Sequence, residues 1–92
     1  MSKILIVDDQ VNKSRILKLI LESKNFVVKA ISECGLLESS IITFKPDLIL
    51  LQIFLKGGNS CELWKQLKTE KATAHIPVLL FSGNNNIQAI LN

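Results

Sequence analysis

Ninety-two residues make one small domain, and 48% of them are hydrophobic, too many for a disordered chain. The net charge is +3, from eleven Lys and Arg against eight Asp and Glu, and the basic residues are scattered, which describes a solvated surface and gives no basic stripe with stacking aromatics for nucleic acid. No apolar run approaches the roughly 20 residues that span a bilayer, no long apolar h-region precedes a small-residue cleavage site, so a signal peptide is not expected, and Cys34, Cys61 and the single His75 lack zinc-site spacing; the expectation is a reduced, cytoplasmic compartment with neither membrane nor nucleic acid as partner.

Residues 3–8 read as a strand whose continuous apolar run, Ile4 to Val7, ends in Asp8-Asp9, as expected of a strand covered on both faces. Residues 11–23 carry Ile16, Leu17, Ile20 and Leu21 at helical spacing, interleaved with Lys13, Arg15, Lys18 and Glu22. Lys24-Asn25 breaks that pattern, and residues 26–31 are short and β-branched, a second strand. Ser32 is the expected N-cap of a helix over 33–44 whose buried side is Leu36, Leu37, Ser40, Ile41 and Phe44. Pro46 stops it, and 48–51 form a third strand that ends at Gln52. Gly57-Gly58 marks a turn, and Asn59 with Glu62 forms a capping-box pattern ahead of a helix over about 60–69 that buries Leu63, Trp64 and Leu67. Residues 76–81 are a fourth strand with Pro77 at its start, where a missing donor is tolerated. A turn at 83–86 leads to a short helix with Ile87, Ile90 and Leu91. Alternation of strands and helices with short connections predicts an α/β domain with a parallel sheet over residues 1–92.

Ligands of an open parallel sheet bind outside the carboxyl ends of the strands, so Asp8, Asp9 and Gln52 are expected at one mouth. Two adjacent carboxylates suit a hard cation such as Mg2+, held weakly because the only further ligand is the neutral Gln52 carbonyl. A carboxylate at position 52 would give a nucleophile; an amide there does not. The plainer alternative makes Asp8 and Asp9 an N-cap region favoured by the helix dipole. Likewise Trp64 reads as core, His75 as a loop residue and Asn84 to Asn86 as a turn and cap.

Taken together, Asp8-Asp9 after an apolar strand, the segments PDLILLQIFLKGG and NSCELWKQLK, and HIPVLLFSG, in this order and spacing, resemble the receiver domain of two-component response regulators, from Ile4 to about Ile90. The resemblance implies a flavodoxin-like, doubly wound parallel sheet of strand order 2-1-3-4, here without the family's fifth strand and last helix. It implies that Asp8 and Asp9 hold Mg2+, that Gln52 stands where the family's phosphoacceptor aspartate stands, and that Ser82 and Gly83 match the switch residue and its small neighbour, which contact the phosphoryl group. The lysine that ends the family's fifth strand has no counterpart, Lys56 stands where the family often has Pro, and Ser60 where it usually has Gly. Loss of a third carboxylate at position 52 offsets the loss of that lysine.

The function so implied is a degenerate receiver domain of a two-component phosphorelay, not an enzyme. It binds a histidine kinase or another signalling protein without phosphorylation at the usual position. The alternative within the class is a working receiver of which this chain is a fragment or variant. The alternative from another class is a small phosphate- or nucleotide-binding α/β enzyme, against which no G-x-G-x-x-G or G-x-x-x-x-G-K-[ST] loop follows any expected strand. The apolar fourth strand, left at a sheet edge, is the expected surface of a homodimer.

Overall fold

The computed structural model describes residues 2–53, 55 and 60–81, the side chains of Ser60, Cys61 and Trp64 apart. Four parallel strands, β1 (Lys3–Val7), β2 (Val27–Ile31), β3 (Leu48–Gln52) and β4 (Val78–Phe81), pair in the order β2-β1-β3-β4. Helices α1 (Val11–Ser23), α2 (Leu37–Phe44) and α3 (Ser60–Thr69) connect them. This is the doubly wound, flavodoxin-like order that the sequence leads one to expect.

Period-two alternation within β1 and β3 builds a core on each face of the sheet. Leu5, Val7, Ile49 and Leu51 join Ile31, Leu37, Leu67 and Ile76 on the α2 and α3 face. Ile4, Ile6 and Leu50 join Val28 and Phe81 on the other, with Leu17 and Leu21 of α1 packed against them. Leu5, Ile6, Ile49 and Leu51 are completely buried, each contributing about 1.5–3 kcal/mol. The lower ends of β1 and β3 are tied by a reciprocal pair. Lys3 N–H donates to Asp47 Oδ2 at 2.8 Å, and Asp47 N–H donates to the Lys3 carbonyl at 2.8 Å.

Three local expectations are corrected. First, the apolar side of α1 is narrower than its spacing suggests. Leu17 and Leu21 face the sheet with Ser14, whereas Ile16 is 60% and Ile20 is 49% exposed. At 100° per residue the pair 16/20 lies a quarter turn away from the pair 17/21, and α1 rests chiefly on β2. Second, Ser32 is not an N-cap. The segment 33–44 opens with a 3-10 turn, Cys34–Leu36, whose N-cap is Glu33, and α2 follows with no side-chain cap at Leu36. Gly35 disfavours an α-helical first turn, and the tighter winding rotates Leu36 outward, so it is exposed. Third, β4 begins at Val78. Ile76 N–H is taken by Thr73, and Pro77, which has no donor, accepts from Ile49 N–H through its carbonyl at 3.0 Å. The turn at Gly57-Gly58, the Asn59 cap, the Trp64 side chain, the turn at 83–86 and the helix with Ile87, Ile90 and Leu91 lie outside the described residues.

Two helix exits use left-handed backbone. After α1 it is Asn25 (φ 70°), which tolerates that region; after α2 it is Lys45 (φ 53°), which does not. Pro46 explains why α2 ends there, since the residue before a proline is pushed out of the right-handed helical region. Lys45→Gly is therefore expected to raise stability by about 0.5–1 kcal/mol, the relief of the Cβ clash less the entropy of glycine. Chemical denaturation would show it as a higher midpoint with unchanged slope.

Candidate functional site

Strand register brings the site together. Val7 pairs with both Ile31 and Leu51, so the next residues, Asp8 and Gln52, stand level at the carboxyl ends of β1 and β3. Alternation sends both side chains to the same face, the one bearing Ile6, Leu50 and α1. The ladder runs slightly past the strands: Asp8 N–H donates to the Ile31 carbonyl at 3.1 Å and Ile53 N–H to the Phe81 carbonyl at 2.7 Å. The mouth thus has a rigid backbone rim.

Asp8 is 2% and Gln52 1% exposed, while Asp9 is half-buried. Asp8 Oδ1 accepts the Gln10 N–H at 2.9 Å, and the Asp8 carboxylate also accepts a hydrogen bond from the Gln52 side chain. An ionised carboxylate only accepts, so the amide presents its N–H2 to Asp8. Desolvation by burial pushes the Asp8 carboxyl above its ordinary value, against the lowering effect of the Gln10 hydrogen bond; Asp9 adds to the rise, while Gln52 and the charge of Lys13 oppose it. The N-cap alternative fails in its simple form. The N-cap of α1 is Gln10, without a side-chain cap bond, and Asp8 bonds the N–H of Gln10 itself rather than that of a residue in the first turn. Ser82 and Gly83, the expected switch positions, lie outside the described residues.

A family model for the response regulator receiver domain matches residues 4–92. The chain belongs to the receiver domain family. The phosphate regulon transcriptional regulatory protein PhoB of Pseudomonas aeruginosa is 31% identical over 91 residues, which are 95% of this chain and 40% of PhoB. The N-terminal domain of a response regulator receiver protein from Methanoculleus marisnigri superposes with TM-score 0.82 at 28% identity, over 87% of this chain and 65% of that one. The signal receiver domain of a DNA binding response regulator from Colwellia psychrerythraea shares the fold, with TM-score 0.84 at 24% identity over 99% and 78%. The chain spans between 19% and 40% of the length of PhoB, ResD of Bacillus subtilis and NtrX of Azorhizobium caulinodans.

Receiver domains commonly bind Mg2+ at the phosphorylation site, and the carboxylates that follow β1 here are Asp8 and Asp9. Among the described residues no group of three or more His, Cys, Asp or Glu could hold a metal ion. Nor does any buried side-chain nitrogen or oxygen among them lack a hydrogen-bond partner. No helix among the described residues is long and apolar enough to cross a membrane.

Sequence patterning missed one feature on the opposite face. A cleft of about 490 Å³ separates α2 from α3, floored by Leu37, Ile41, Leu63 and Leu67 and rimmed by Glu38 and Glu70. Only the exposure of Ile42, within an otherwise regular helix pattern, could have signalled it.

Proposed function

We propose that residues 1–92 are a degenerate receiver domain: a cytoplasmic, non-enzymatic interaction module of a two-component phosphorelay that accepts no phosphoryl group at the mouth of its sheet. One observation carries this. The side chain at the end of β3 is Gln52, buried and hydrogen-bonded to Asp8. Phosphoryl transfer is chiefly positioning and charge stabilisation around an attacking oxygen, and an amide supplies no such nucleophile. Asp8 and Asp9 then serve the shape and charge of the mouth, and Ser82 and Gly83 remain the residues that would contact a phosphoryl group if one were delivered. The partner is a histidine kinase or another signalling protein. Nucleic-acid binding by this chain itself is not part of the proposal, although relatives carry it in their names, because the chain spans only a minor share of their length.

Incubation with acetyl phosphate and Mg2+, followed by intact mass measurement, should add no phosphoryl group. An adduct mapped by peptide mass to the ends of β1, β3 or β4 would restore the working-receiver alternative. The same proposal extends to self-association through β4, the outermost described strand, on which Leu79 is 36% exposed. Sedimentation across a concentration series should show a dimer forming; a monomer at every concentration removes this part.

A further inference from the structure

We propose that the exposed ridge of α1 docks, head to tail, into the cleft between α2 and α3 of a second copy of this chain. The inference goes beyond the proposed function and does not rest on Gln52 or on phosphoryl chemistry. Two observations carry it, one from each face of the sheet. On the first face, α1 packs Leu17 and Leu21 inward and leaves Ile16, Leu19 and Ile20 outside, with Leu19 63% exposed. Positions 16, 19 and 20 follow the i, i+3, i+4 spacing by which a helix lays its apolar side into a groove. The outer side of a solvated helix is normally polar, and a cluster of large aliphatics there marks an interaction surface. On the second face, the cleft between α2 and α3 offers about 490 Å³ over an apolar floor of Leu37, Ile41, Leu63 and Leu67. Ile42 stands at its edge, 65% exposed. Charge selects the occupant. Within α1, Lys13, Arg15 and Lys18 stand against Glu22, so the helix is net basic. The whole chain is basic at +3, yet the charged residues lining the cleft are Glu38 and Glu70 against Lys45, net acidic. A basic apolar ridge and an acidic-rimmed apolar cleft attract, whereas two copies of the ridge repel each other. Because α1 and the cleft lie on opposite faces of the sheet, one chain presents both at once. The contact joins two different surfaces, so it propagates into a ring or an open chain rather than a closed twofold dimer. Its core is three side chains, which places it among the small, weak interfaces. It leaves the β4 edge untouched.

Two variants at exposed positions split the contact. Leu19→Glu disables the ridge and keeps the cleft; Ile42→Arg disables the cleft and keeps the ridge. Gly35→Trp is a second way to block the cleft, because Gly35 lines it and an added Cβ there meets no atom within 4 Å. Amide NMR reads which surface is touched. Labelled Leu19→Glu chain, titrated with unlabelled Ile42→Arg chain up to about 1 mM, should shift at Leu37, Ile41 and Leu67. The reverse labelling should shift Ile16, Leu19 and Ile20. Unlabelled Gly35→Trp in place of Ile42→Arg should give the same cleft shifts, so the result does not hang on one variant folding. Unlabelled Leu19→Glu chain should bind the labelled cleft roughly tenfold or more weakly, because its carboxylate would enter an apolar floor unpaired. Equal cleft shifts with both partners overturn the inference. So does the absence of cleft shifts at every concentration, the outcome if the ridge or the cleft serves a different protein. Shifts confined to Val78 to Phe81 also overturn it and assign self-association to the β4 edge alone.

Discussion

Gln52→Leu is expected to lower stability by about 1.5–3 kcal/mol, the scale of a hydrogen bond to a charged group. Leucine matches the volume of glutamine closely enough that no large cavity forms, and apolar neighbours such as Leu50 and Phe81 share its face. The loss is therefore electrostatic. Asp8 stays 2% exposed, its carboxylate keeps the Gln10 N–H, and it loses the amide. For a domain of this size each kcal/mol moves Tm by about 4–8 °C. Gln52→Glu should be worse, because it sets a second buried carboxylate against the first. The specific claim is pairwise: the penalty of Gln52→Leu should shrink in an Asp8→Asn background to about 0.5–1.5 kcal/mol, the scale of a neutral hydrogen bond, because no charge is left unpaired. A double-mutant cycle by urea denaturation measures this coupling directly. Strictly additive effects of the two changes would mean that the two side chains do not interact.

The order of strands and the level placing of Asp8 and Gln52 at the carboxyl ends of β1 and β3 were legible because they follow from chain-wide regularities. Apolar runs of strand length, separated by helical spacing, leave few ways to wind a parallel sheet, and its carboxyl ends collect whatever polar residues terminate the strands. What escaped was set by contacts between segments far apart in sequence. Which of Ile16/Ile20 and Leu17/Leu21 faces the sheet depends on where α1 lands, and it lands chiefly on β2. Ser32 has the chemistry of a cap, but Gly35 in the next turn changes the winding before a cap can act. Asp47 gave no signal of its partnership with Lys3, 44 residues away. The orientation of Gln52 is the most instructive case. A glutamine offers both a carbonyl and an amide, and only a buried ionised carboxylate beside it decides which is presented. Sequence brought the two residues to one place; the direction of the hydrogen bond between them required the structure.

Asp8→Asn is expected to stabilise the domain at neutral pH, with a pH dependence that identifies the cause. Burial raises the Asp8 pKa in the folded state above its ordinary value of 3.8. Between that value and the raised one, the folded state binds more protons than the unfolded state, so stability falls as pH climbs through the window. Above the window the whole unfavourable contribution is present; below 3.8 it is absent. Asparagine carries no charge to desolvate. Its Oδ1 can keep the Gln10 N–H, and the Gln52 amide can turn to present its carbonyl to the new Nδ2. The gain at pH 7 should be on the order of 1 kcal/mol, or about 4–8 °C in Tm for a chain of this length. It should shrink towards zero as the pH falls through the window, because wild-type Asp8 is then protonated in both states. Paired urea titrations of wild type and variant at several pH values give the difference free of the titration of other carboxylates. A gain that stays constant down to pH 3 would assign the effect to packing. A loss at pH 7 would mean that the charge of Asp8 holds Gln10 and Gln52 in place more strongly than burial opposes it.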